Sequence, residues 1–228
     1  MDGTLTRSRS RISPEMKHAL LLLSQKLDVV VVSGAEISQI QKQIPLVGKN
    51  RLHVLSQNGN YAVAKDGSVL WKNKITPLQK KAILQHIGIL RMRFPHSTRD
   101  EDDLVEDREC QISYSILGHH EDKNKKERFD TDGKKRAAML TEFPLARKDT
   151  AARIGGTTCI DYTHARGRKG DNVKKLVMHL DWRKKNAVYV GDAFYSGGND
   201  ESVVGVCDVV AVSDPTETLA VIQKLLHN

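Results

Sequence analysis

The stretch Asp28-Val-Val-Val-Val32, followed at once by Ser33-Gly34, most narrows what this chain can fold into. Four consecutive β-branched residues leave no polar face. They predict a strand over 28–32 covered on both sides, as in a parallel sheet flanked by helices. The neighbouring segments agree. Ser13-Pro14-Glu15 offers a capping hydroxyl, a proline for the first turn and an acid at the positive end of the dipole, which starts a helix running to about residue 26. A second helix is expected over 36–44, a short strand over 52–56, a turn at Gln57-Asn58-Gly59-Asn60 and an exposed alternating strand over 61–65. Asp66-Gly67 is a hairpin signal, with 69–71 returning. The rhythm resumes late in the chain with a helix over 169–182, strands over 187–190 and 206–212, and a closing helix over 215–226. Such a succession predicts an α/β, Rossmann-like core with a parallel sheet.

The middle of the chain reads differently. An amphipathic helix is expected over 77–94, strands over 104–105, 111–117 and 157–161, and a helix over 133–143, joined by charged loops that include the basic run 123–128. The expectation is an inserted α+β domain, 77–163, between the two halves of the core, 1–76 and 164–228.

Composition excludes several classes. The 228 residues are 39% hydrophobic and 28% charged, which suits a packed chain rather than a disordered one. No apolar run approaches the roughly 20 residues of a membrane-spanning helix, and no apolar leader follows Met1. The 3 cysteines, Cys110, Cys159 and Cys207, are widely spaced and form no metal or disulfide pattern, as in a reducing cytoplasm. The net charge of +8 is spread over helices that also carry acids, and aromatics are only 5%, so a nucleic-acid surface is not expected; a basic balance also steers phosphate esters.

Four segments carry chemistry, all at expected strand ends, where open α/β sheets place ligands. Asp2-Gly3-Thr4-Leu5-Thr6 pairs an acid with a tight turn. Ser33-Gly34 puts a hydroxyl and backbone donors at a helix start, an arrangement suited to phosphate. Lys169, beside Arg168, opens a helix and offers an ammonium group to neutralise transferring charge. Gly191-Asp192 and Gly197-Gly198-Asn199-Asp200 bring two acids and an amide onto one glycine-rich loop, a donor set for a hard cation such as Mg²⁺.

In this order the four segments resemble the haloacid dehalogenase (HAD) superfamily, class IIB, and within it the eukaryotic-type phosphomannomutases. The resemblance covers nearly the whole chain. Gln57-Asn58-Gly59 is similar to that family's Glu-Asn-Gly turn, and Gly155-Gly156-Thr-Thr-Cys159-Ile-Asp161 to its Gly-Gly segment. The resemblance implies a Mg²⁺-dependent transfer through an aspartyl-phosphate, with Asp2 as acid/base and Lys169 as a catalytic cation. It implies phosphate held by Thr4, Ser33, Gly34 and Lys169, and metal held by Asp2, Asp192, Asn199 and Asp200. It further implies substrate read from the cap by Arg108, His119, Arg128 and Asp161, and a homodimer through the cap.

Two departures shape the expected activity. The family's attacking Asp stands two positions before the acid matched by Asp2, a position ahead of Met1. The expectation is that the gene begins upstream and supplies it on the central strand, without which neighbouring strands keep unpaired backbone groups and solubility suffers. In the cap, His119 replaces one of three arginines, and histidine gives no bidentate grip. The first expectation is therefore a phosphohydrolase acting on a small sugar phosphate. Phosphomannomutase is the alternative, and an inactive HAD-like binding protein is a third.

Overall fold

In the computed structural model the described residues are 1–7, 9–47, 51–195 and 197–227. They form two compact units, one of Met1–Lys72 with Gly167–Asn228 and one of Asn73–Arg166.

The first unit begins with α1 (Pro14–Lys26), capped as expected by the Ser13 hydroxyl accepting from the Met16 amide at 3.1 Å. Then follow β1 (Val30–Val32), α2 (Ile37–Gln43), β2 (His53–Ser56), β3 (Tyr61–Val63) and β4 (Val69–Lys72). The second unit contains α3 (Pro77–Arg93), β5 (Val105–Asp107), β6 (Ile112–Ser115), α4 (Lys123–Phe129), α5 (Lys134–Glu142), β7 (Thr150–Gly155) and β8 (Cys159–His164). The chain returns to the first unit with α6 (Lys169–His179), β9 (Val188–Gly191), β10 (Asp208–Ala211) and α7 (Pro215–His227).

Parallel pairing holds for β1 with β2 and for β9 with β10. The sheet of the first unit is extended by antiparallel strands, in the order β1-β2-β3-β4, because the short turn after β2 cannot make the crossover a parallel partner requires. Strand β3 is therefore interior, with Ala62 fully buried, rather than the exposed strand its alternation predicts. Among the described residues β1 and β9 are each the edge of their own sheet. One apolar cluster packs α1, α2 and α7 around Val31 and Val54; another sets Leu55 and Trp71 against Val173, Leu176 and Val177 of α6.

In the second unit the sheet order is β5-β6-β8-β7, all antiparallel. Ile112, Tyr114, Ile160 and Tyr162 alternate onto one face and are buried with Ile83, Ile87, Leu90 and Met139 from the helices. The same alternation sends Glu106, Ser113, Asp161 and Arg153 to the opposite face as one cross-strand row. Two expectations change here. The basic run at 123–128, read as a loop, is helix α4, because Asp122 caps it by accepting from the Lys125 amide at 3.0 Å. Strand β7 has no alternating apolar signature and forms because each of its residues pairs with one of β8.

Candidate active site

Residues 1–6 close on themselves. The Met1 carbonyl accepts from the amides of Leu5 and Thr6, and Gly3 takes φ +78°, a conformation glycine adopts without strain. A Cβ on Gly3 would stand 2.4 Å from Asp192 Oδ2, so the glycine lets the first turn sit directly on that carboxylate. The Thr4 hydroxyl donates to Asp192 Oδ1 at 2.6 Å, joining opposite ends of the chain.

Behind this contact lies a buried ion pair. Lys169, at the start of α6, donates through Nζ to Asp200 Oδ1 at 2.6 Å. The Tyr189 hydroxyl of β9 donates to the same oxygen at 2.7 Å, and the Ala193 amide reaches Oδ2 at 3.2 Å. Burial pushes the Asp200 carboxyl up, but the charge and hydrogen bond of Lys169, with Tyr189 and Ala193, hold it below the usual carboxylate range. Burial and the Asp200 charge drive the Tyr189 phenol well above its ordinary value, which keeps it a donor. Thr4, Asp192, Lys169 and Asp200 are thus joined through one loop, whereas Asp2 and Ser33 keep hydrogen-bond partners of their own.

The second loop stands on its own network. The Ser33 side chain is buried and accepts from the Ala35 amide at 3.1 Å. Gly34 brings its backbone against the Asn58 side chain; a Cβ there would lie 3.4 Å from Asn58 Oδ1. Asn58 in turn donates its amide to the Ser33 carbonyl and accepts from Asn172 Nδ2 of α6 at 2.9 Å. The turn after β2 therefore ties the Ser33 loop to the helix that begins with Lys169.

The expected metal set is not gathered as four ligands. Asp2 Oδ1 accepts instead from Thr6 Oγ1, the Arg9 amide and Gln43 Nε2 at 3.2–3.3 Å, because the tight turn aims it toward α2. Both oxygens of Asp200 are engaged by Lys169, Tyr189 and Ala193, so its carboxylate anchors the ammonium. No cluster of three or more His, Cys, Asp or Glu side chains with metal-binding geometry occurs among the described residues. Asp192 and Asn199 are exposed, and Asp192 is cradled by Gly3 with its Oδ1 oriented by Thr4. Asp192 would offer one oriented carboxylate to a hard cation such as Mg²⁺. Ser196, within the same loop, lies outside the described residues.

In the second unit three of the four expected substrate residues share a neighbourhood. Arg108 grips Glu106 through Nε at 2.9 Å. His119 is buried, with Nδ1 3.5 Å from Glu106 and Nε2 3.2 Å from the Ser113 carbonyl, and burial lowers its pKa. Asp161 accepts from Ser113 Oγ at 2.7 Å; burial raises its carboxyl, although Ser113, Arg108 and His119 oppose that. The Cys159 thiol is raised by burial and by Asp161. Arg128 stands apart, exposed on α4, because the helix that replaces the expected loop turns it to solvent.

Two residues escaped the sequence reading. Tyr189 looks like an ordinary strand residue, and only its register beside Gly191 hints at the loop. Arg136 looks like a solvated helix residue but is almost wholly buried.

Comparison with other proteins follows the same outline. A family model described as haloacid dehalogenase-like hydrolase matches residues 1–207. Phosphomannomutase 1 of Dictyostelium discoideum is 28% identical over 244 aligned residues, covering 100% of this chain and 94% of its own length. The phosphomannomutase of Schizosaccharomyces pombe is 27% identical over 247, covering 100% and 92%. Among solved structures, SMU.1108c from Streptococcus mutans superposes with a TM-score of 0.73 at 14% identity, covering 100% of this chain and 97% of that one. An IMP-bound, N-terminally truncated IMP-nucleotidase from Plasmodium falciparum gives 0.68 at 15%, covering 100% and 66%. At such identities the structural likeness speaks for the fold.

Proposed function

This chain belongs to the haloacid dehalogenase-like hydrolases, and on that footing we propose that it transfers the phosphoryl group of a small sugar phosphate in the manner of a phosphomannomutase. The observation that carries phosphoryl chemistry is the meeting of Thr4, Asp192, Lys169 and Asp200 in the first unit. The end-to-end match with relatives bearing that name favours the mutase.

In this reading the first unit is the catalytic core and the second, Asn73–Arg166, is the cap. Ser33 and the amides after Gly34 take phosphate oxygens, while Lys169 neutralises the transferring group and is held in place by Asp200 and Tyr189. Asp2 passes the proton between attacking and leaving oxygens. Asp192, with Asn199 beside it, would hold a Mg²⁺ ion, which would supply positive charge against the phosphoryl group. Arg108, His119 and Asp161 read the sugar, and the cap also provides the surface for a homodimer. No helix among the described residues is long and apolar enough to cross a membrane, and the cytosol is the proposed compartment.

Hydrolysis of the same class of ester is a second reading, favoured by one observation. The distal clamp is thin: His119 is buried with a lowered pKa, and Arg128 faces solvent. A mutase must hold a bisphosphate, whereas a hydrolase needs one phosphate site and water.

The test is an assay of the chain on mannose 1-phosphate with Mg²⁺ and a hexose bisphosphate. Conversion to the 6-phosphate without phosphate release is expected; steady phosphate release would favour the second reading. Absence of any activity, or activity unchanged by Asp192→Asn, would sink the proposal.

A further inference from the structure

We propose that Arg136 is a positioning residue that fixes the Gly155–Cys159 turn and through it the carboxylate of Asp161. The recognition role of Asp161 rests on the function proposed above; the positioning does not.

Arg136 lies in the first turn of α5 and is 1% exposed. Its guanidinium is anchored on one side by Asp130, through Nε to Oδ2 at 2.7 Å and through Nη2 to the Asp130 carbonyl at 2.9 Å. On the other side Nη1 donates to three carbonyls of one turn, Gly155 at 2.7 Å, Gly156 at 3.0 Å and Cys159 at 2.9 Å. Asp130 is committed to the same task. It also accepts from the amides of Lys135 and Arg136, both at 3.0 Å; burial pushes its carboxyl up, but the Arg136 guanidinium first and these amides next hold it below its ordinary value.

Such an arrangement does more than fill space. A helix needs no side chain to bind carbonyls of a distant hairpin, and a buried charge is costly unless its partners are all supplied. The bound turn is the one whose exact path matters, because Gly155 lies beneath Asp161: a Cβ there would be 2.2 Å from Asp161 Oδ2. Gly155 and Cys159 are register partners, so holding their carbonyls fixes the first rungs of the β7–β8 ladder. Asp161 lies two residues along β8 on the same face as Cys159 and reaches Ser113 Oγ at 2.7 Å. If the turn shifts, Gly155 moves and the carboxylate loses its bed. A lysine has no planar fork and cannot span Asp130 and three carbonyls at once.

The experiment uses the full chain carrying Arg136→Met and Arg136→Lys, each studied at a temperature where it is folded. Amide hydrogen exchange is followed residue by residue, and the Asp161 carboxyl is titrated by ¹³C NMR. Both variants are expected to exchange at least ten times faster over 155–161 while β5 and β6 change little, and the raised Asp161 pKa is expected to fall toward an ordinary carboxylate. Should Arg136→Met fail to fold, Arg136→Lys decides alone. Uniformly faster exchange throughout the second unit with the Asp161 titration unmoved would make Arg136 a plain stabilising residue and overturn the proposal. In a separate arm, the KM for mannose 1-phosphate is expected to rise at least tenfold with kcat little changed. A wild-type chain that turns over no sugar phosphate would refute the assigned function, while the exchange and titration results would still decide the positioning.

Discussion

Replacing Asp200 by asparagine removes one charge from a buried pair and leaves the other. In the folded protein the Asp200 carboxylate takes Lys169 at 2.6 Å, Tyr189 at 2.7 Å and the Ala193 amide at 3.2 Å, and it is 3% exposed. Asparagine is nearly isosteric, so the packing survives and the loss is electrostatic: an ammonium group is left buried against a neutral amide. Breaking one side of such a pair costs about 3–5 kcal/mol. With an m-value of about 2 kcal/mol/M in urea, the unfolding midpoint of the first unit falls by roughly 1.5–2.5 M at pH 7. Tryptophan fluorescence isolates that unit, because the chain's 2 tryptophans, Trp71 and Trp182, both lie within it. The pH dependence gives a second check. The folded pKa of Asp200 is depressed, so its contribution is fully present above the unfolded value of about 3.8 and is lost as pH falls through the folded value. The gap between wild type and Asp200→Asn should therefore be constant from pH 7 to 5 and narrow below about 4. A midpoint change under about 0.5 M at pH 7, or a gap that persists unchanged in acid, would refute the reasoning.

Further outcomes follow from the same geometry. Gly170→Ala should destabilise by about 1–3 kcal/mol despite alanine's better helix propensity, since its Cβ would stand 1.8 Å from the Ser202 carbonyl oxygen, which is backbone and cannot yield; urea unfolding followed by tryptophan fluorescence reads it. Burial lowers the His119 pKa, so on acidification the unfolded chain takes up that proton first, and stability declines from the ordinary histidine value near 6.5 downward until folded His119 titrates. Substitution by glutamine should flatten part of that slope, and an identical slope in wild type and His119→Gln would contradict the burial argument.

How far the sequence spoke for itself depended on what each signal was made of. Local signals transferred well: the Ser13 cap, the valine run of β1 and the hairpin at Asp66-Gly67 depend on neighbours in the chain, and each sits where the residues place it. Signals that depend on a partner strand did not. Tyr61 to Lys65 alternates like a surface strand, yet β3 is flanked on both sides, and Thr150–Gly155 carries no pattern because β8 supplies its reason to extend. The chemistry divided the same way. Thr4, Lys169, Asp192 and Asp200 stand out through glycine-rich spacing and strand ends, but nothing local tells that Asp200 is held by Lys169 rather than left open to a cation. Tyr189 and Arg136 were not, since nothing local distinguishes a core tyrosine from a hydrogen-bond donor or a solvated arginine from a buried one. Arg128 matched by position in a family pattern, but the helix formed around Asp122 sets its direction.

The turn after β2 has a consequence for how the protein tolerates change. Gln57 and Asn58, neither of them glycine, both adopt positive φ, at 51° and 58°. Such backbone persists only where its surroundings over-determine it. Here those surroundings are the Ala35 and Ser33 carbonyls on one side and Asn172 and the Gly167 carbonyl, through Asn60, on the other. A hydroxyl contributed by one end of the polypeptide and an ammonium contributed by the other are thus indexed to a single rivet. Length changes in the exposed Asp66-Gly67 tip should be absorbed harmlessly, whereas one inserted residue between 56 and 60 would throw both groups out of alignment together.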